Sequence, residues 1–94
     1  MTVRSALRDA LRTGSLTARE LSARVGIPEK QVAGHLEHLD RSLRAAGERL
    51  HVEPACCLDC GFVFRKRDRL SRPSRCPVCR SEHLDGPRFA IVPP

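Results

Sequence analysis

Apolar side chains recur along the first half of the chain at helical spacing. Val3, Leu7 and Leu11 stand at i, i+4 and i+8, with Arg4, Arg8, Asp9 and Arg12 on the other side, so the period predicts a short amphipathic helix ending at Gly14. A second helix is expected to begin just after Thr17. Thr17 can cap its first turn, Glu20 three residues on can reach back, and Leu16 can pack on Leu21 as a hydrophobic staple. Gly26 should end that helix in the left-handed conformation, with Ile27 folding back towards Leu21 as in a Schellman cap. Pro28 suits the first turn of a third helix, whose stripe of Val32, Leu36, Leu39 and Leu43 extends it to about Gly47.

Beyond Gly47 the period changes from helical to two. Leu50 and Val52 alternate with His51 and Glu53 until Pro54 breaks the run, which predicts a short strand. Residues 88–92 (RFAIV) predict another, ended by Pro93 and Pro94, and the two are expected to pair, enclosing 56–87 as an excursion between them. Within the excursion, the alternation Phe62-Val63-Phe64 predicts a small third strand. Two short helices joined by a glycine-containing turn, after one supporting helix and before a strand pair, form the pattern of a winged helix-turn-helix. The expected fold is therefore α+β, three helices with a short strand pair forming the wing.

Composition narrows the possibilities. In 94 residues the chain has no Trp or Tyr, three Phe and 40% apolar positions, so one core is small and a second source of stability is expected. Few aromatic walls are available for an enclosed ligand pocket, which argues against an enzyme. Lys and Arg number 17 against 11 Asp and Glu, a net charge of +6, and this points to an anionic partner, double-stranded DNA first. The excess is concentrated after residue 55, with eight basic and four acidic side chains against nine and seven before it. No apolar run approaches the roughly 18 residues of a membrane span, and the N-terminus alternates charge where a signal peptide needs an apolar stretch, so a cytoplasmic location is expected.

Cys57-x2-Cys60-Gly61 and Cys76-Pro77-x-Cys79 have the spacing of a four-thiolate zinc site. Each turn can aim two sulfurs at one ion, and Gly61 relieves the crowding after the second. Zinc bound in this way is worth roughly 10–16 kcal/mol in small peptides, enough to replace a missing core. One structural zinc on Cys57, Cys60, Cys76 and Cys79 is the expected cofactor, with iron in the same cage as the rival, since geometry alone does not separate the two metals. Cys56, the fifth thiol, is read as a spare residue, with replacement of Cys57 as the alternative.

The third helix and the loop between the knuckles carry the candidate DNA contacts. Lys30, Gln31, Gly34, His35 and His38 are placed against bases or phosphates, with Gln31 suited to an adenine edge and Gly34 to close backbone approach. Glu29 and Glu37 on the same helix oppose this, because they repel phosphate. His35 and His38, three apart, could alternatively share a metal. The loop 65–75 contains six basic residues and one acid, and Arg65, Lys66, Arg67 and Arg69 are placed along the phosphate backbone. The alternatives are a solvated helix face and a charged loop that only keeps the ribbon soluble.

Taken together, the helix-turn-helix, the two cysteine knuckles and the closing Pro87-Arg88-Phe89 resemble small prokaryotic winged-helix proteins that carry a rubredoxin-like zinc ribbon and are read as transcriptional regulators. The resemblance implies a winged helix-turn-helix with first wing strand over 1–55, a zinc ribbon inserted at the wing over 56–87, and a closing strand and tail over 88–94. It also implies DNA as ligand. Arg80 stands where a rubredoxin knuckle commonly has Gly, a departure that counts against an electron-transfer iron site. The expected function is that of a DNA-binding transcriptional regulator, not an enzyme, with a homodimer needed to read two half-sites. The rival readings are a ribbon adaptor that docks on the transcription machinery and an iron electron carrier.

Overall fold

The structure is a computed structural model and describes residues 2–65 and 70–92. Its first helix, α1 (Val3–Arg12), buries Leu7 and Leu11 and is capped by the Thr2 hydroxyl, which accepts from the Ser5 N–H. It stops at Arg12, before Gly14, because Thr13 closes the end by donating its N–H and its hydroxyl to the Ala10 carbonyl. Helix α2 (Ala18–Val25) begins where the capping signals place it. The Thr17 hydroxyl accepts from the Glu20 N–H, the Glu20 carboxylate accepts from the Thr17 N–H, and Leu16 and Leu21 both enter the core. At its end Gly26 takes φ 80 and donates to the Ser22 carbonyl, while the Ser22 hydroxyl donates to Ile27. Ile27 thus closes the turn through its carbonyl as well as by packing on the core.

Helix α3 (Glu29–Ala45) starts with Pro28 as its N-cap, one residue before its first turn. It buries Val32, Leu36, Leu39 and Leu43, the stripe seen in the sequence. The Glu48 N–H folds back to the Leu43 carbonyl and turns the chain into the sheet.

Strand β2 (Arg49–Glu53) pairs antiparallel with β5 (Arg88–Val92), from Arg49 opposite Val92 to Glu53 opposite Arg88. On the other side of β5 lies β1 (Leu16–Thr17), a two-residue strand ahead of α2 with Leu16 opposite Phe89, so the sheet order is β1-β5-β2. Among the described residues ten form one buried core: Leu7, Leu11, Leu16, Ala18, Leu21, Val32, Leu36, Leu39, Leu43 and Phe89. Phe89 is 0% exposed and, among the described residues beyond residue 55, is the one that joins this buried core.

The ribbon continues the hairpin. Strand β3 (Cys56–Cys57) pairs with β4 (Leu84–Asp85), placing Cys56 opposite Asp85. Cys56 is three positions past Glu53 and Asp85 three before Arg88, so neither side gains or loses a residue and the register of β2 with β5 carries into the ribbon. The strand expected at Phe62-Val63-Phe64 is not formed. Only Val63 makes an isolated bridge to Cys56, because the Arg65 N–H turns back on the Val63 carbonyl at 3.0 Å and ends the ladder. The two rings pack edge to face, 5.1 Å between centroids.

Candidate functional site

The two cysteine knuckles are built alike. In the first, the Gly61 N–H donates to the Cys57 carbonyl at 2.9 Å and the Cys57 N–H to the Phe62 carbonyl at 2.7 Å. In the second, the Arg80 N–H donates to the Cys76 carbonyl at 2.9 Å and the Cys76 N–H to the Ser81 carbonyl at 2.9 Å. Gly61 and Arg80 occupy the same place, and both are left-handed, with φ 82 and 63. The arginine therefore completes the second knuckle, and the Val78 N–H still reaches the Cys76 sulfur at 3.4 Å. What it costs is backbone strain, since a left-handed side chain is unfavourable by about 1–2 kcal/mol. Arg80→Gly is expected to raise the stability of the zinc-loaded ribbon by about 0.5–1 kcal/mol, after allowing for the freer unfolded chain. Gly61→Ala, with open space around its Cβ but the same φ, should lower it by a similar amount; paired thermal melts measure both.

These turns bring four sulfurs together across the hairpin. Cys57 and Cys79 stand 3.5 Å apart, Cys60 and Cys76 3.6 Å, and all four sulfurs lie within 4.8 Å of one another. A tetrahedron with metal–sulfur bonds of about 2.3 Å has sulfur–sulfur edges of about 3.8 Å, so the four fit one zinc ion. Four protein ligands leave no open position, which makes the site structural.

Electrostatics separates the first sulfur of each knuckle from the second. Burial opposes the Cys76 thiolate, but N–H groups of Cys79 and Val78 outweigh it and draw the pKa down to about 7. Burial likewise opposes Cys57, where the N–H groups of Cys60 and Asp59 again win and the pKa is lowered. For Cys60 the Phe62 N–H favours the thiolate, yet burial and the sulfurs of Cys76, Cys79 and Cys57 together push the pKa up to about 12. Cys79 is raised in the same way: the Ser81 N–H favours ionisation, and burial and the Cys57 sulfur prevail against it. The thiolate is thus favoured at the first sulfur of each knuckle and disfavoured at the second, and a cation among the four would reverse the repulsion.

Cys56 contributes nothing to this cluster. It is half-buried on β3, outside the group formed by Cys57, Cys60, Cys76 and Cys79. Around the centre, Ser81 donates to the Asp59 carboxylate, and the Leu58 N–H donates to the His83 carbonyl at 2.8 Å, tying the second knuckle to the first. Leu58 and Val78, at the knuckle tips, are the exposed large hydrophobic side chains among the described residues, at 65% and 67%.

The second candidate surface is the polar side of α3. Lys30, Gln31, Gly34, His38 and Arg41 are exposed and stand opposite the buried stripe. His35 is half-buried on the flank towards α1, where Arg4 donates to Ser42 at 3.4 Å. It is less exposed than its i+3 neighbour His38, and no third metal-binding group joins the two histidines among the described residues. Arg65 is exposed at the start of the basic loop, whereas Lys66, Arg67 and Arg69 lie outside the described residues.

The opposite flank of α3 meets the segment leading to the second knuckle. Leu70, Ser71 and Arg72 line a groove of about 410 Å³ with Ala18, Glu29, Lys30 and Ala33. Arg72 pairs with Glu29 at 3.7 Å, a contact the sequence reading missed, and it offsets the charge that would repel phosphate there. Glu37 makes no ion pair among the described residues and lines a neighbouring groove with Arg41, Arg44 and Leu70. The ribbon is also fastened at its base, where Arg88 reaches Asp85 at 3.0 Å and Glu20 of the capping box at 3.5 Å.

Comparison with known proteins agrees with this architecture. Residues 2–51 match the family model described as PF0610-like, N-terminal, and residues 54–92 the model of the PF0610 rubredoxin-like zinc β-ribbon domain. The chain is similar to the solution NMR structure of protein PF0610 from Pyrococcus furiosus, at 30% identity and a TM-score of 0.80, covering 98% of this chain and 90% of that one. None of the curated proteins matches the chain.

Proposed function

Because the chain belongs to the PF0610-like family and carries its rubredoxin-like zinc ribbon, we propose that it is a cytoplasmic, DNA-binding transcriptional regulator of the winged helix-turn-helix type. The observation that carries the reading is the exposed, polar outer face of α3, set off from the body by α2 through the short turn Gly26-Ile27-Pro28. Such a helix can enter a major groove about 12 Å wide. The order α1-β1-α2-α3-β2 with a returning β5, and the sheet order β1-β5-β2, support it, since a wing in such a fold is a hairpin that follows the third helix. No helix among the described residues is long and apolar enough to cross a membrane.

In this reading Gln31 and Gly34 face base edges, Lys30, His38 and Arg65 face phosphates, and zinc holds the wing without chemistry of its own. His35 is a supporting residue, because it is partly buried. Lys66, Arg67 and Arg69 belong to the same basic loop by sequence. Duplex DNA is the proposed partner, bound as a homodimer if two half-sites are read.

Binding should be steeply salt-dependent, because each phosphate neutralised releases a counterion. Gln31→Ala is expected to reduce discrimination between cognate and random duplexes by about 1–3 kcal/mol, whereas Lys30→Ala should weaken both alike and reduce the salt slope by about one. Equal losses on cognate and random DNA for Gln31→Ala would remove Gln31 from the base-reading set. The exposed Leu58 and Val78 favour a second reading, a ribbon that docks on a protein of the transcription machinery. In that case binding to DNA would be absent, and association with the protein partner would depend on those two side chains.

A further inference from the structure

The segment between the basic loop and the second knuckle touches both candidate sites. Leu70 packs against the helical core and lines the two grooves along the α3 flank, of about 410 and 430 Å³. Two residues on, Arg72 pairs with Glu29 in the first turn of α3. Pro73 is buried next, and Cys76, a zinc ligand, follows three residues later. One short stretch of chain therefore joins the contacts of Leu70 and Arg72 on α3 to a cysteine of the metal cluster.

We propose that zinc occupancy controls the DNA-facing surface of α3 through this strap, so that the metal centre regulates the binding site as well as folding the ribbon. The inference rests on the DNA-binding reading above for its functional consequence, and on the contacts of Leu70 and Arg72 for its structural one. With zinc bound, the strap forms one wall of the groove along Ala18 and Ala33 and holds Arg72 against Glu29 beside Lys30. When the metal leaves, the ribbon's described residues offer no apolar cluster to keep Cys76 in place, and the strap is released. Glu29 is then an unpaired negative charge in the first turn of the helix that must approach phosphate, which disfavours binding. Coupling between two sites of this kind is commonly 5–150-fold.

The test uses the full chain, zinc-loaded or treated with a chelator, with two readouts. One is the set of backbone amide NMR signals of Glu29 to Ala33; the other is affinity for a mixed-sequence duplex. Removing zinc is expected to shift those amide signals while α3 remains helical, and to lower DNA affinity about tenfold. Leu70→Ala, checked for an unchanged cobalt-substituted spectrum so that the metal site is known to be intact, should reproduce part of the shift with metal present. If the α3 signals stay in place on zinc removal and in Leu70→Ala, the coupling is overturned. The same conclusion follows if the zinc-loaded protein binds DNA and chelation leaves its affinity unchanged. Failure of the zinc-loaded wild type to bind DNA would instead defeat the proposed function, and the amide signals would still decide whether the strap couples zinc to α3.

Discussion

Cys60→Ser is expected to abolish tight zinc binding and to unfold residues 54–87, while α1, α2 and α3 stay folded. The size of the effect follows from how little else holds the ribbon. Among the described residues its buried side chains are Ala55, Cys57, Cys76, Pro73 and Pro87, and its two phenylalanines make one edge-to-face contact, so the metal supplies most of its folding energy. Four-thiolate sites contribute roughly 10–16 kcal/mol in small peptides, and loss of one ligand forfeits much of it. The helical body does not depend on that energy, since nine of its ten core residues precede the ribbon and the tenth, Phe89, follows it. A loosened ribbon lengthens the loop that β5 must close, and loop entropy grows slowly, by about 0.6 kcal/mol per doubling of length. Competition with a chromophoric chelator measures the affinity, and far-ultraviolet circular dichroism the helices. Cys56→Ser provides the contrast and should change neither, because Cys56 lies outside the cluster. Metal retained in Cys60→Ser and lost in Cys56→Ser would overturn the ligand assignment.

Phe89→Ala should cost the body about 3–5 kcal/mol, the range for removing a fully buried aromatic side chain. Phe89 stands opposite Leu16 on one side and Val52 on the other, so its ring joins β1 and β2 as well as filling the space under the helices. Domains of this size are stable by about 5–15 kcal/mol, and the variant should therefore melt far lower, with its zinc site intact. Chemical denaturation of zinc-loaded protein gives the value. A cost below about 1 kcal/mol would mean that the hairpin's return to the helices is not what closes the core.

How much of this was legible in the sequence depended on the length of each signal. The three helices were, because caps and a 3.6-residue apolar period repeat over two or more turns: Thr17 with Glu20, and Val32, Leu36, Leu39 and Leu43. The β2–β5 pairing was legible from two alternating runs with proline stops. Strand β1 was not. Two residues carry no period, and Leu16 and Thr17 were already accounted for as staple and cap, while the partner that makes them a strand lies some seventy residues away. Strands β3 and β4 were hidden for a similar reason, since Cys56 and Cys57 read as metal chemistry and two-residue ladders leave no pattern. At Phe62-Val63-Phe64 the opposite happened, and an alternation that suits a strand is ended by the backbone turn at Arg65.

The same distinction holds for the sites. The cysteine spacing was decisive because ligand geometry is local within each knuckle, and the structure brings the four sulfurs together as one cluster. Arg80 in a glycine position was visible; that it would adopt φ 63 and preserve the knuckle was not, since the cost of strain against four sulfur–metal bonds is settled only in the fold. The half-burial of His35 could have been inferred from its place on the helix wheel, 100° from Leu36 on the α1 side. The Arg72–Glu29 pair left no such trace, because nothing local links residues so far apart.

The most direct test of the account is selection of genomic fragments by the purified, zinc-loaded protein at fixed near-physiological salt, followed by sequencing of what is retained. The account predicts an enriched motif, weakened in its enrichment by Gln31→Ala, and a motif with two-fold symmetry would identify the dimer. Retention without a motif would leave only phosphate contacts, and no retention at all would contradict the DNA-binding reading.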